Sequence, residues 1–164
     1  MSDPQTQIFN ILNRSAISID TIPHAARVWS YGFKFHSLKA GKINQIGILL
    51  PNTGKFTAYL FDLKTGNQLS KMNFNYSEAN KQMLLDINPV HIVPANQLGI
   101  ALAADVFFKV SNNDASKIAF PYNDGNLSID GYAQDTINLS SFPSLFDEYK
   151  VAPCASFTFQ ADAD

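Results

Sequence analysis

From Trp29 to His36 the chain places an aromatic ring at every second position: Trp29-Ser30-Tyr31-Gly32-Phe33-Lys34-Phe35-His36. Only an extended strand with one buried face satisfies that period, because successive side chains point to opposite sides. The same alternation recurs down the chain. Ile46, Ile48 and Leu50 carry it through 43–50, and Phe56, Ala58 and Leu60 through 55–62. Met72, Phe74 and Tyr76 follow, then Met83, Leu85 and Ile87, then Leu98, Ile100 and Leu102, then Val106, Phe108 and Val110. The residues 89–93 continue extended, and 127–129, 137–139 and 155–159 are shorter strand candidates, with Phe157 and Phe159 on one face.

Turn chemistry separates these runs. Pro51-Asn52-Thr53-Gly54, Lys64-Thr65-Gly66-Asn67, Pro94-Ala95-Asn96, Asn112-Asn113-Asp114 and Asn123-Asp124-Gly125-Asn126 supply the residues that tight turns need. Residues 77–81 and 144–150 are expected as loop or a single helical turn, and 1–25 is assigned to no strand. Short strands spaced by turns, with no sustained helical period, predict an all-β fold. The expectation is one antiparallel β-sandwich, jelly-roll-like, spanning residues 1–164. Composition agrees. Charged residues are only 16% of the 164, against about 25% in an ordinary domain. Of the acids only Glu78 and Glu148 are Glu, and the rest are Asp, which prefers turns to helix interiors.

Several function classes lose support at this stage. The formal net charge is -2 with lysines and arginines scattered, so the basic stripe of a nucleic-acid binder is missing. No apolar run approaches the ~18 residues of a membrane span. Cys154 is the one cysteine, which fits a small buried apolar residue better than a nucleophile. His24, His36 and His91 show no metal-ligand spacing, and are expected as solvated or core-edge side chains. There is no G-x-S-x-G elbow and no phosphate loop, and a glycosidase pair is not expected from so few Glu. The chain is therefore read as non-catalytic. No cofactor is expected; calcium is the one metal the Asp-rich turns would suit, through Asp124, Asn126 and Asp130 or the 112–114 turn.

The aromatics carry the binding candidates. If Phe56, Ala58 and Leu60 face inward, Tyr59 and Phe61 face outward, and Trp29 and Tyr122 stand near strand ends. Outward rings are what a sugar's apolar face stacks on. The polar start, Met1-Ser2-Asp3-Pro4-Gln5, is no signal peptide, so the chain is either cytoplasmic or the mature part of an exported protein. Low Lys and Glu with abundant Asn, Ser and Thr favour the secreted or cell-surface setting.

The residues 31–35, 41–48, 54–62, 65–69, 88–96 and 98–101 together form a pattern that resembles uncharacterised jelly-roll-like accessory domains of secreted and surface bacterial multidomain proteins. In that pattern a strand of the form Y-T-V-x-L-W-D precedes G-x-x-L-A. Here Phe56-Thr57-Ala58-Tyr59-Leu60-Phe61-Asp62 stands in its place, with Phe61 where Trp is common. The resemblance covers about half of the chain and nothing after Ser111. It implies the fold and an accessory, non-catalytic role, and brings no catalytic residues with it. The expected partner is a carbohydrate, or alternatively another protein in an adhesive or structural role. An aromatic platform in a groove would favour the sugar, an unprotected edge strand the protein, and a His-Asp pair in a cleft an enzyme.

Overall fold

The computed structural model describes the backbone of residues 5–6, 17–23, 29–104, 106–114, 116–118, 120–135, 142–143, 145–147, 150–151 and 154–162. Trp29, Val106, Lys109, Tyr122, Asp124 and the residues 5–6, 17–23, 145–147 and 150–151 are described by backbone position only.

Alternation dictates the layers. The strands are β1 (Gln5–Thr6), β2 (Ile17–Pro23), β3 (Trp29–Ser37), β4 (Gly41–Ile48), β5 (Gly54–Asp62), β6 (Gln68–Tyr76), β7 (Met83–Ile92), β8 (Leu98–Ala104), β9 (Val106–Asn112), β10 (Tyr122–Asp124), β11 (Leu127–Asp135), β12 (Leu145–Asp147), β13 (Lys150–Val151) and β14 (Ala155–Ala161). A seven-stranded sheet runs β10-β11-β3-β8-β5-β6, with β12 following β10 along the outer edge of β11. The facing layer holds two smaller sheets, β1-β14-β4-β7 and β13-β9-β2. Every pairing is antiparallel. The chain forms the expected antiparallel β-sandwich. The jelly-roll label stays with the resemblance that suggested it.

The inner faces meet through rings. Phe157 of β14 stacks on Phe35 of β3 at 4.3 Å and reaches Phe33 at 6.0 Å, while Phe107 of β9 packs on Tyr31 at 4.3 Å. One strand, β3, thus lies beneath both smaller sheets, and its rings tie them into one continuous core. The period of two explains why: Tyr31, Phe33 and Phe35 are buried, whereas Lys34 and His36 between them are half-exposed. Burying a ring of this size stabilises by roughly 1.5–3 kcal/mol.

Some expectations need correction. Among the described residues there is no helix. The residues 77–81 form a turn organised by Tyr76, whose hydroxyl accepts from the amides of Leu50 and Lys81, each at 3.2 Å. Leu145–Asp147 is strand β12, where a loop or helical turn was expected, because the edge of β11 offers it a ladder. Within 1–25, β1 and β2 pair with β14 and β9. On β9 Phe107 and Val110 are the fully buried residues and Phe108 is half-buried against the core, so the expected Val106, Phe108 and Val110 face does not account for its burial. The candidate strand at 137–139 lies outside the described residues.

Candidate functional site

The seven-stranded sheet departs from the rule of two on β11. Leu127, Ile129 and Tyr132 of β11 all point into the core, so one spacing is three. In register terms Ile129 opposes Phe35 and Gly131 opposes Lys34, which leaves Asp130 as an extra residue. Such a bulge re-aims a side chain. Here it brings the Asp130 carboxylate to the imidazole of His36, with Nδ1 to Oδ2 at 2.9 Å. The two side chains are 33% and 30% exposed, so the pair is sheltered but reachable. An Nδ1–H donated to a carboxylate, which can only accept, leaves Nε2 of a neutral ring as an acceptor. The His36 imidazole makes no other hydrogen bond among the described residues.

This pair lines a cavity of about 220 Å³ with Lys34, Gln97, Leu63 and the chain at Phe35 and Leu98. The loop that supplies Gln97 is fixed to the β5–β6 turn, since the Leu63 amide donates to the Gln97 carbonyl at 2.9 Å. Leu63 gives the cavity an apolar wall, and behind it lies a second, small hydrophobic cluster. Phe61 and Ala101 are buried there, with Tyr59, Leu63, Ala103 and Phe142 packed around them. Glycine makes room: a Cβ on Gly99 would stand 2.6 Å from the Phe142 ring.

That cluster corrects one binding candidate. Phe61 does face away from the main core, as alternation requires, but it is only 1% exposed and cannot serve as an open platform. Phe142 covers it edge-on, with ring centroids 6.3 Å apart at 76°. Tyr59 remains half-exposed, its ring nearly parallel to that of Phe61 (21°, 6.0 Å). Trp29 begins β3 opposite Ala104, and Tyr122 begins β10 opposite Ile129; their side chains lie outside the described residues.

The metal candidates lie on the β10–β11 hairpin and along β11. Asp124, whose side chain also lies outside the description, closes the β10 end of a hairpin opposite Leu127, with Gly125 at φ 58° in the two-residue turn. Asn126 gives its carbonyl to the Leu38 amide. Asp130 is turned to His36. Among the described residues no group of three or more His, Cys, Asp or Glu side chains could hold a metal ion. In the 112–114 turn, Asp114 accepts from the Ser116 hydroxyl and from the Ser116 amide at 3.0 Å, which holds its carboxyl below the usual carboxylate range.

No Ser, Thr or Cys lines the cleft among the described residues. Cys154 is fully buried, and desolvation pushes its thiol up to about 12, so it stays protonated and inert at neutral pH. No helix among the described residues is long and apolar enough to cross a membrane. The outer strand β6 has no further strand beside it among the described residues, but Leu69 bulges from its pairing with β5, and Lys71 stands exposed on it. Both features discourage strand addition.

His36, Lys34 and Gln97 were not singled out as binding residues from the sequence. The spacing of three from Ile129 to Tyr132 is the signal that would have pointed to Asp130 as the bulge. Nothing local links it to His36, which is 94 residues away. No protein-family model matches the chain, and no curated protein matches it in sequence.

Proposed function

We propose that this chain is a non-catalytic binding module of an exported or surface protein, and that its ligand is a carbohydrate held on the outer face of the seven-stranded sheet. The observation that carries this reading is the junction of two unlike surfaces. A cleft with fixed polar groups, His36–Asp130, Lys34 and Gln97, adjoins an apolar wall formed by Leu63 and continued by the half-exposed Tyr59 over the buried Phe61. Sugars present both an apolar ring face and a rim of hydroxyls, so a site for them needs both surfaces side by side. Tyr59 and Lys34 sit on strands two places apart, roughly 10 Å across the sheet, which suits a ligand of more than one ring. A glycan array run with the wild-type chain and with Tyr59→Ala and His36→Ala tests this. Selective binding that both variants weaken is the expected result. A silent array would dismiss the carbohydrate reading.

One observation favours a second reading. The Asp130-bound Nδ1 leaves His36 Nε2 able to take a proton, as a general base acting on water would. What speaks for binding instead is that the His36 imidazole has no Ser, Thr or Cys hydrogen-bond partner among the described residues. Chromogenic glycoside and ester substrates separate the two: turnover that His36→Gln removes would support the enzyme.

A further inference from the structure

The outer face of the β1-β14-β4-β7 sheet carries a second polar groove, built on a separate irregularity. Ile43 and Ile46 of β4 both enter the core, so Asn44 and Gln45 share the space between them. Thr158 and Phe159 are adjacent on β14, yet their partners are Gln45 and Ile43, and Asn44 is the extra residue. On the other side Asp86 opposes Gln45 and Val90 opposes Ile43, so β7 is interrupted at the same level. The ladder opens across three strands at once and leaves a groove of about 410 Å³.

Its floor is a hydrogen-bonded row with a fixed direction. The Thr158 hydroxyl donates to Gln45 Oε1 at 3.0 Å, and Gln45 Nε2 donates to Asp86 Oδ1 at 2.8 Å. The carboxylate at the end can only accept, so the amide cannot point the other way. Lys42 closes one end and makes no ion pair among the described residues, while Ile87 and Pro89 supply an apolar side. The Asn44 Oδ1 is buried and accepts no hydrogen bond among the described residues. A bulge kept for stability alone would not carry that cost.

We propose that this groove is a second carbohydrate subsite that takes two adjacent hydroxyls of one pyranose ring. One hydroxyl donates to the free Oδ2 of Asp86, the other accepts from the Lys42 ammonium, and the ring's C–H face lies on Ile87 and Pro89. The proposal rests on the carbohydrate reading above and extends it: two opposite faces, each with a site, make the module bivalent, able to bridge two glycan chains.

Titration of the ¹⁵N-labelled full chain with methyl α-glucopyranoside, methyl α-mannopyranoside and methyl β-galactopyranoside tests it. The expected result is a saturable shift of the Asn44 and Gln45 side-chain amide signals with at least one of them. That shift persists in Tyr59→Ala, and its affinity falls at least about tenfold in Asp86→Ala, the loss of one hydrogen bond to a charged group. Asp86 is exposed and Tyr59 packs outside the main core, so both variants leave the main core intact. If signals move only around Tyr59 and His36, the second site is overturned and the first reading stands. If no signal moves on either face, the second site is overturned, and the glycan array alone decides the first. An undiminished affinity in Asp86→Ala also overturns the second site.

Discussion

The two outer faces of the sandwich solve the same problem in opposite ways. Behind the seven-stranded sheet, small residues on the central strands (Gly32, Gly99, Ala101) leave a hollow that Phe61 and Phe142 fill, and the polar groups gather beside it at His36 and Asp130. Behind the smaller sheet no second core forms among the described residues; Thr158, Gln45 and Asp86 form a polar row over a ladder broken at one level. The difference teaches that a period of two builds inner faces, while chemistry on an outer face gathers where that period fails. A bulge costs ladder hydrogen bonds and returns a re-aimed side chain.

Breaking the hollow should have the largest effect. Phe61→Ala is expected to destabilise by about 3–5 kcal/mol, as a core ring would, although it lies outside the main core. Chemical denaturation measures this, and a loss under about 1 kcal/mol would mean the second cluster contributes no real packing. Glycine substitutions then set the faces against each other. A Cβ on Gly32 would meet the Ile100 carbonyl oxygen at 2.0 Å and the Ala101 Cα at 2.8 Å, both backbone atoms that cannot step aside. A Cβ on Gly47 would first meet Leu84 Cδ2 at 2.5 Å, the far end of a movable side chain. Thermal and denaturant unfolding should therefore show Gly32→Ala costing about 3 kcal/mol and Gly47→Ala about 1 kcal/mol. Equal costs would remove the contrast.

Deleting Asp130 sharpens the comparison further. It sets Ile129 and Tyr132 two apart, restores the alternation, and should cost about 1 kcal/mol or less, the worth of a partly exposed ion pair. A dispersed NMR spectrum lacking the His36 Nδ1 contact is the expected outcome; global unfolding would mean the bulge is structural. The smallest effect belongs to the polar row: Asp86→Ala should change stability by about 0.5 kcal/mol, since it removes only the solvent-exposed bond at the end of the row.

These contrasts also explain what was legible in the sequence. Where alternation ran unbroken, as in 29–36, 55–62 and 98–102, strand, inward face and layer could all be read from the residues. Where it slipped by one, the pattern looked like an end. The strand of 127–129 in fact continues to Asp135, past the bulge that hid it. The strands β1 and β12, two and three residues long, carry no period of their own and are held extended by their pairing partners, whereas β2 has Ile17 and Ile19 two apart, a signal the sequence does carry. Tyr59 and Phe61 were correctly set on the outer face, but the ring that covers Phe61 comes from residue 142, and no local pattern announces it. The His36–Asp130 contact joins strands far apart in the chain and is a property of register alone.

The most direct test of the binding face is calorimetric titration of the best glycan from the array into the wild-type chain, Tyr59→Ala and the Asp130 deletion. Both variants should stay folded and bind at least about tenfold more weakly, one losing a stacking ring and the other the aimed carboxylate. Unchanged affinity in both folded variants would contradict a carbohydrate site on this face.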